Sequence, residues 1–155
     1  MRILSIDYGE ARTGLALSDY TRLIATPHKV MLDRNMDILV GKIADIVKEN
    51  EVGQIVVGNP FNMDGTPSEK SVKCELLAEK LRGSVGVPVE MWDERLTTVT
   101  AHEIIGENRT AHRGGKNRRR RTATGGHQCR SSPAVDAVAA AVILQSYLEY
   151  KQNNI

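Results

Sequence analysis

The chain has 155 residues, 41% of them apolar, two cysteines and a formal net charge of +2. These proportions suit one soluble domain with one core, and no stretch approaches the roughly 20 apolar residues that a membrane span needs. A disulfide framework is not expected, since Cys74 and Cys129 lie far apart without CxxC spacing, and the short apolar run that ends in Asp7 does not read as a signal peptide, so a reducing cytoplasm is expected.

The first third reads as a strand meander. Arg2 to Asp7 is a short apolar run, Thr13 to Ser18 a second and Thr26 to Met31 a weaker third, with turns at Gly9, Asp19 and the Thr21-Arg22 region. A helix is expected from Asp33, which can cap it, with Met36, Leu39, Ile43, Ile46 and Val47 at helical spacing. Gln54 to Gly58 is too short and too β-branched for a helix and reads as a buried strand, followed by a polar loop from Asn59 to Gly65. Thr66, Pro67 and Glu69 form the expected start of a second helix whose apolar face is Val72, Leu76, Leu77 and Leu81. Val87 to Met91 is a further strand, and Thr97 or Thr98 caps a short helix through Ile104 and Ile105.

The charge is unevenly spread. From Gly106 to Pro133 eight Lys or Arg face one acid, Glu107, a net +7, while the rest carries 13 basic and 18 acidic residues, a net −5. Such a segment has too little apolar surface to offset its ordering entropy, so a mobile basic loop over about 106–133 is expected. It suits contact with a polyanion, and a solvated charge run is the plainer reading. A compensated reading-frame slip is a third account, which translating the region in the other frames tests. Ser132-Pro133 then opens a last helix with Val135, Val138, Ala139, Val142, Ile143 and Tyr147 at helical spacing.

A strand meander followed by alternating helices and strands implies an α/β domain with a mixed sheet, strand 1 lying centrally. Three acids then stand out. Asp7 ends strand 1, Glu94 follows the last strand and Asp136 opens the last helix. A carboxylate at an apolar strand end is costly unless it meets a cation. Three such groups converging would hold one or two Mg²⁺ or Mn²⁺ ions, which prefer oxygen ligands, and metal-assisted phosphodiester hydrolysis needs that equipment. Each acid has a plainer role: a turn residue at Asp7, a helix-dipole acid at Asp136, an ion pair or cap at whichever of Asp93 and Glu94 points away. The four histidines show no ligand spacing.

Four motifs, in order, carry a resemblance: Asp7-Tyr8-Gly9-Glu10-Ala11-Arg12-Thr13-Gly14, Gly58-Asn59-Pro60-Phe61-Asn62-Met63-Asp64-Gly65, Asp93-Glu94-Arg95-Leu96-Thr97-Thr98 and Asp136-Ala137-Val138-Ala139-Ala140. Over residues 1–105 and 134–150 the chain resembles the YqgF/RuvX family, described as Holliday junction resolvase and as the nuclease that matures the 5′ end of precursor 16S ribosomal RNA. The resemblance implies a ribonuclease H-like fold across 1–155: a five-stranded sheet of a three-strand antiparallel meander plus two parallel strands, flanked by helices. It implies Asp7, Glu94 and Asp136 as metal ligands and catalytic residues, with Asp93 as the alternate to Glu94, in a two-metal scheme leaving a 5′-phosphate and a 3′-hydroxyl. Gly9, Arg12, Asn59, Asn62 and Arg95 are candidate substrate contacts. Arg12 could equally be a strand-surface residue, Asn62 a turn residue, and Arg95 a partner of Asp93.

The expected activity is therefore a metal-dependent endonuclease on structured nucleic acid, with 5′ processing of precursor 16S ribosomal RNA ahead of junction resolution. It acts as a monomer or homodimer; junction cleavage favours the dimer, since two symmetric nicks need paired sites. Two other classes compete. Asp7-Tyr8-Gly9 and Gly14 also resemble the first phosphate loop of the actin/Hsp70/sugar-kinase fold, although the chain lacks a second half. A nucleic-acid-binding factor without catalysis is the other.

Overall fold

Alternating burial along the first strand sets the layers. The computed structural model describes residues 1–97 and 133–154. In β1 (Arg2–Asp7), Leu4 and Ile6 join one core, while Ile3 joins a second core on the opposite face of the sheet. Ser5 points the same way as Ile3, since successive strand residues alternate, and its hydroxyl donates to the Ala140 carbonyl. β2 (Thr13–Ser18) and β3 (Ala25–Met31) extend the sheet antiparallel on one side of β1. β4 (Val52–Asn59) and β5 (Val89–Asp93) extend it parallel on the other, giving the order β3-β2-β1-β4-β5. The mixed sheet expected from the sequence, with β1 central, is the one observed. The strand bounds differ by one or two residues from the expected runs, most at β5, which starts later and reaches Asp93.

Helices α1 (Met36–Glu49) and α2 (Glu69–Ser84) cover one face, around Leu4, Ile6, Ile55, Val57, Leu77 and Leu81. Each fully buried Leu or Ile contributes about 2 kcal/mol. The last helix, α3 (Pro133–Asn153), covers the other face, against Ile3, Ala16, Ala25, Val56 and Trp92. No helix among the described residues is long and apolar enough to cross a membrane.

Two helix starts differ from expectation. The N-cap of α1 is Asn35, whose side chain accepts from the Asp37 and Ile38 amides, while Asp33 pairs with Lys42 at 2.8 Å. The N-cap of α2 is Ser68, not Thr66, because the Thr66 hydroxyl donates to Asp64 inside the preceding turn. Leu77 and Leu81 are buried as expected, with Ser71, Cys74 and Ala78 completing the buried face, whereas Val72 and Leu76 are exposed. On α3, Val135 is exposed, while Ala137, Ala140 and Ala141 are buried beside Val142, Ile143 and Tyr147. Alanines let this helix sit close to the sheet. Its buried Gln145 accepts from the Ala25 amide and donates to the Leu23 carbonyl, so its amide is satisfied. The expected short helix after Thr97 and the expected basic loop at 106–133 lie outside the described residues.

Candidate active site

The carboxyl ends of β1, β4 and β5 form one edge of the sheet, and α3 begins beside it. Parallel-strand sheets place ligands at this edge. The register explains how the first and last segments of the chain meet there. Asp7 is the cross-strand partner of Gly14. A Cβ at Gly14 would fall 2.0 Å from the Asp136 carbonyl oxygen, so the bare backbone of β2 is what lets the first turn of α3 settle against it. Asp136 is thereby brought next to Asp7, and the two charges act on each other.

A second glycine places the third acid. Strand alternation in β4 puts Val56 and Gly58 on the α3 face. A Cβ at Gly58 would lie 2.7 Å from Glu94 Oε1 and 2.8 Å from Ile143 Cδ1. The Glu94 carboxylate therefore occupies the space that a side chain on β4 would fill, and it too acts on Asp7. All three acids share the α3 side of the edge, with Asp7 between the other two.

The electrostatics reflect this crowding. Burial pushes the Asp7 carboxyl above the usual carboxylate range; the Lys70 ammonium pulls it back and Asp136 adds to the rise. Burial likewise raises Glu94, followed by the charge of Asp7, with Lys70 opposing. Glu94 Oε1 and Asp136 Oδ2 are buried and have no hydrogen-bond partner among the described residues. Unsatisfied buried carboxylate oxygens are what a bound cation would complete. The donor chemistry is all oxygen, which suits a hard divalent ion. Among the described residues, no three His, Cys, Asp or Glu side chains lie close enough as placed to enclose a metal ion. The acids thus gather at one place without forming a closed ligand shell.

Asp93 and Glu94 face different partners. Asp93 caps the 3₁₀ turn Glu94–Leu96, accepting from the Arg95 amide, and pairs with the Arg95 guanidinium at 2.7 Å. Arg95 lowers the Asp93 carboxyl from its ordinary value. Arg95 also stacks over Phe61, 5.4 Å from the ring centroid, and so links the end of β5 to the polar loop.

The remaining candidates fall into three situations. Arg12 lies 3.9 Å from Asp136 Oδ2, at the mouth of the acidic group. Gly9 has the Arg12 carbonyl 2.4 Å from where a Cβ would stand, so it serves the tight β1–β2 turn. Asn59 is buried, and its side-chain oxygen accepts from the Ser71 hydroxyl at 2.6 Å. Asn62 is exposed and donates to Thr66 within its own turn. Neither asparagine is joined to the carboxylates in this structure.

Linear reading did not single out Lys70, whose Nζ lies 3.7 Å from Asp7 Oδ1. Nothing in its spacing marks it; only the docking of the first turn of α2 against the end of β4 does. Gly58 was read as part of a strand, and its contact with Glu94 depends on β5 following β4 in parallel. Cys74 is buried, its thiol pushed up to about 12 by burial, so it is a core residue and not a nucleophile.

Comparison with known proteins gives a consistent picture. The family model described as "RuvX: Holliday junction resolvase" matches residues 1–150. A protein of Lachnospira eligens is 37% identical over 155 residues, spanning 98% of this chain and 99% of its own. One of Anaeromyxobacter is 40% identical over 149 residues, spanning 96% and 97%. Both carry the name "Putative pre-16S rRNA nuclease". Among solved structures, T. thermophilus RuvC in complex with a Holliday junction substrate superposes with a TM-score of 0.60 at 16% identity, covering 97% of this chain and 96% of that one. Fowlpox virus resolvase, bound to Holliday junction DNA, gives 0.53 at 11% identity, covering 97% and 99%. These likenesses establish the resolvase-type, ribonuclease H-like fold.

Proposed function

This chain belongs to the RuvX family, and from that premise we propose that it is a metal-dependent endonuclease that processes the 5′ end of precursor 16S ribosomal RNA in the cytoplasm. The observation that carries the hydrolytic reading is the pair of glycine-mediated approaches: Gly14 admits Asp136 and Gly58 admits Glu94, both beside Asp7. The choice of RNA rests on the names of relatives that match the chain over nearly its whole length.

In this reading Asp7, Glu94 and Asp136 would hold Mg²⁺ or Mn²⁺. When bound, such ions supply an activated water and stabilise the leaving oxygen. The chain's own contribution is positional. The rigid edge of the sheet fixes Asp7, and the 3₁₀ turn capped by Asp93 aims Glu94. Arg12, beside Asp136, is placed to meet a substrate phosphate, and Arg95 holds the Phe61 loop along the path a strand of nucleic acid would take. Gly9 keeps the β1–β2 turn low enough for that strand to approach.

Holliday junction cleavage is the second reading, favoured by the family description and by the fold shared with junction-bound RuvC. Two symmetric cuts would require a homodimer. The deciding experiment incubates the protein with precursor 16S ribosomal RNA and with a synthetic four-way junction, side by side, with and without Mn²⁺. Cleavage of the precursor only with metal, absent in Asp7→Asn, is the expected result. Metal-dependent cutting of the junction alone would transfer the assignment to resolvase, and no cutting of either would remove the nuclease reading.

A further inference from the structure

We infer that the Lys70 ammonium is a built-in rival of the divalent cation, neutralising Asp7 and Glu94 until metal ions displace it. The inference rests on the reading of these acids as metal ligands given above, and it assigns a residue outside the carboxylate set to the control of metal loading.

The placement is the first argument. Lys70 stands on α2, in the layer opposite α3, and reaches round the sheet edge to lie 3.7 Å from Asp7 Oδ1. Its charge also acts on Glu94, so one ammonium serves two acids. The backbone beneath it is anchored: the Ser68 hydroxyl donates to the Pro60 carbonyl at 2.6 Å, and the Ser71 hydroxyl to Asn59 at 2.6 Å. The side chain, by contrast, is 48% exposed, so it can swing into water without disturbing the helix.

Ligand chemistry is the second. An ammonium carries one positive charge on a compact head and offers hydrogen bonds only. It moderates the charge of the pair, yet Glu94 Oε1 is left buried and without a hydrogen-bond partner among the described residues. A divalent ion brings twice the charge and accepts oxygen lone pairs directly. A half-exposed ion pair of this kind is loosely held, so a divalent ion can displace it, at a cost that appears as weaker apparent affinity. Lys70 thus acts as a placeholder that tempers repulsion between carboxylates when the metal is away and lowers the apparent affinity for metal.

Calorimetric titration of the substrate-free protein with Mn²⁺ tests this, with thermal melts confirming that each variant is folded. Removing the competing charge in Lys70→Gln is expected to tighten Mn²⁺ binding roughly tenfold. Lys70→Arg, which keeps a cation on the same turn, is expected to stay close to wild type. Asp7→Asn is expected to lose the binding. If Asp7→Asn loses binding while Lys70→Gln binds no more tightly than wild type, the rivalry is refuted and the metal reading stands. If Asp7→Asn binds as wild type does, the metal reading itself is wrong.

Discussion

Asp7 and Glu94 are ionised at the expense of the fold. Burial raises both carboxyls, and their proximity adds to the rise at Glu94. For an acid whose folded value lies above the unfolded one, the native state binds more protons through the window between the two. Stability of the metal-free protein therefore declines as pH rises through that window. Asp7→Asn should remove its share of this decline and raise the melting temperature at neutral pH, while lowering the cleavage rate on the order of 10³-fold. Melts across pH 4–8, run beside a cleavage assay, measure both; a lower melting temperature at neutral pH would contradict the burial argument. Gly58 offers a sharper separation of fold from function. The atoms nearest to a Cβ there are flexible side-chain ends, Glu94 Oε1 and Ile143 Cδ1. Gly58→Ala should cost only about 1–2 kcal/mol in stability, while displacing Glu94 and removing most of the cleavage activity. Denaturant melts and single-turnover rates on the same preparation check the contrast.

Helix placement is where the sequence was partly opaque. The strands could be read because β-branched runs bounded by turn residues have few alternatives. The starts of α1 and α2 could not, because several cap-capable residues stand in series, whereas α3 begins at Pro133 as expected. Asp33 and Asn35 compete at α1, and Thr66 and Ser68 at α2. The winners are decided by which side chain the neighbouring turn already uses: Asp64 takes Thr66, and Lys42 takes Asp33. Asn35→Ala should therefore cost about 1 kcal/mol of stability, with Asp33→Ala costing less, as denaturant melts would show. Helix α3 carries the strongest dependence on a single position. A Cβ at Gly14 would collide with the backbone of Asp136 and Ala137, which cannot rotate away. Gly14→Ala is expected to cost about 3 kcal/mol and to abolish cleavage, because the helix must lift from β2 and carry Asp136 with it.

The molecule divides its charge between a body of net −5 and the segment Gly106 to Pro133 of net +7. If that segment neutralises substrate phosphates, affinity for RNA should fall on the order of 10³-fold between about 50 and 200 mM salt. A deletion of the segment should flatten that slope in filter-binding or anisotropy measurements. The order of the described elements and the mixed sheet were legible because strand ends and apolar periods are local signals. What binds the acids together was not: the Asp7–Gly14 pairing, the close approach at Gly58 and the reach of Lys70 from the opposite layer are relations between distant segments, without a linear signature.

The pairing of Asp7 with Gly14, and of Gly14 with the first turn of α3, joins the opening strand to the final helix. During translation the ribosome releases the meander and the parallel strands well before α3 is made. Until that helix emerges and docks, a nascent chain carries two of the three proposed ligands and a vacant groove above Gly14. On the proposed reading, the ligand set is therefore completed only by the docking of α3, the element made last among those that supply it.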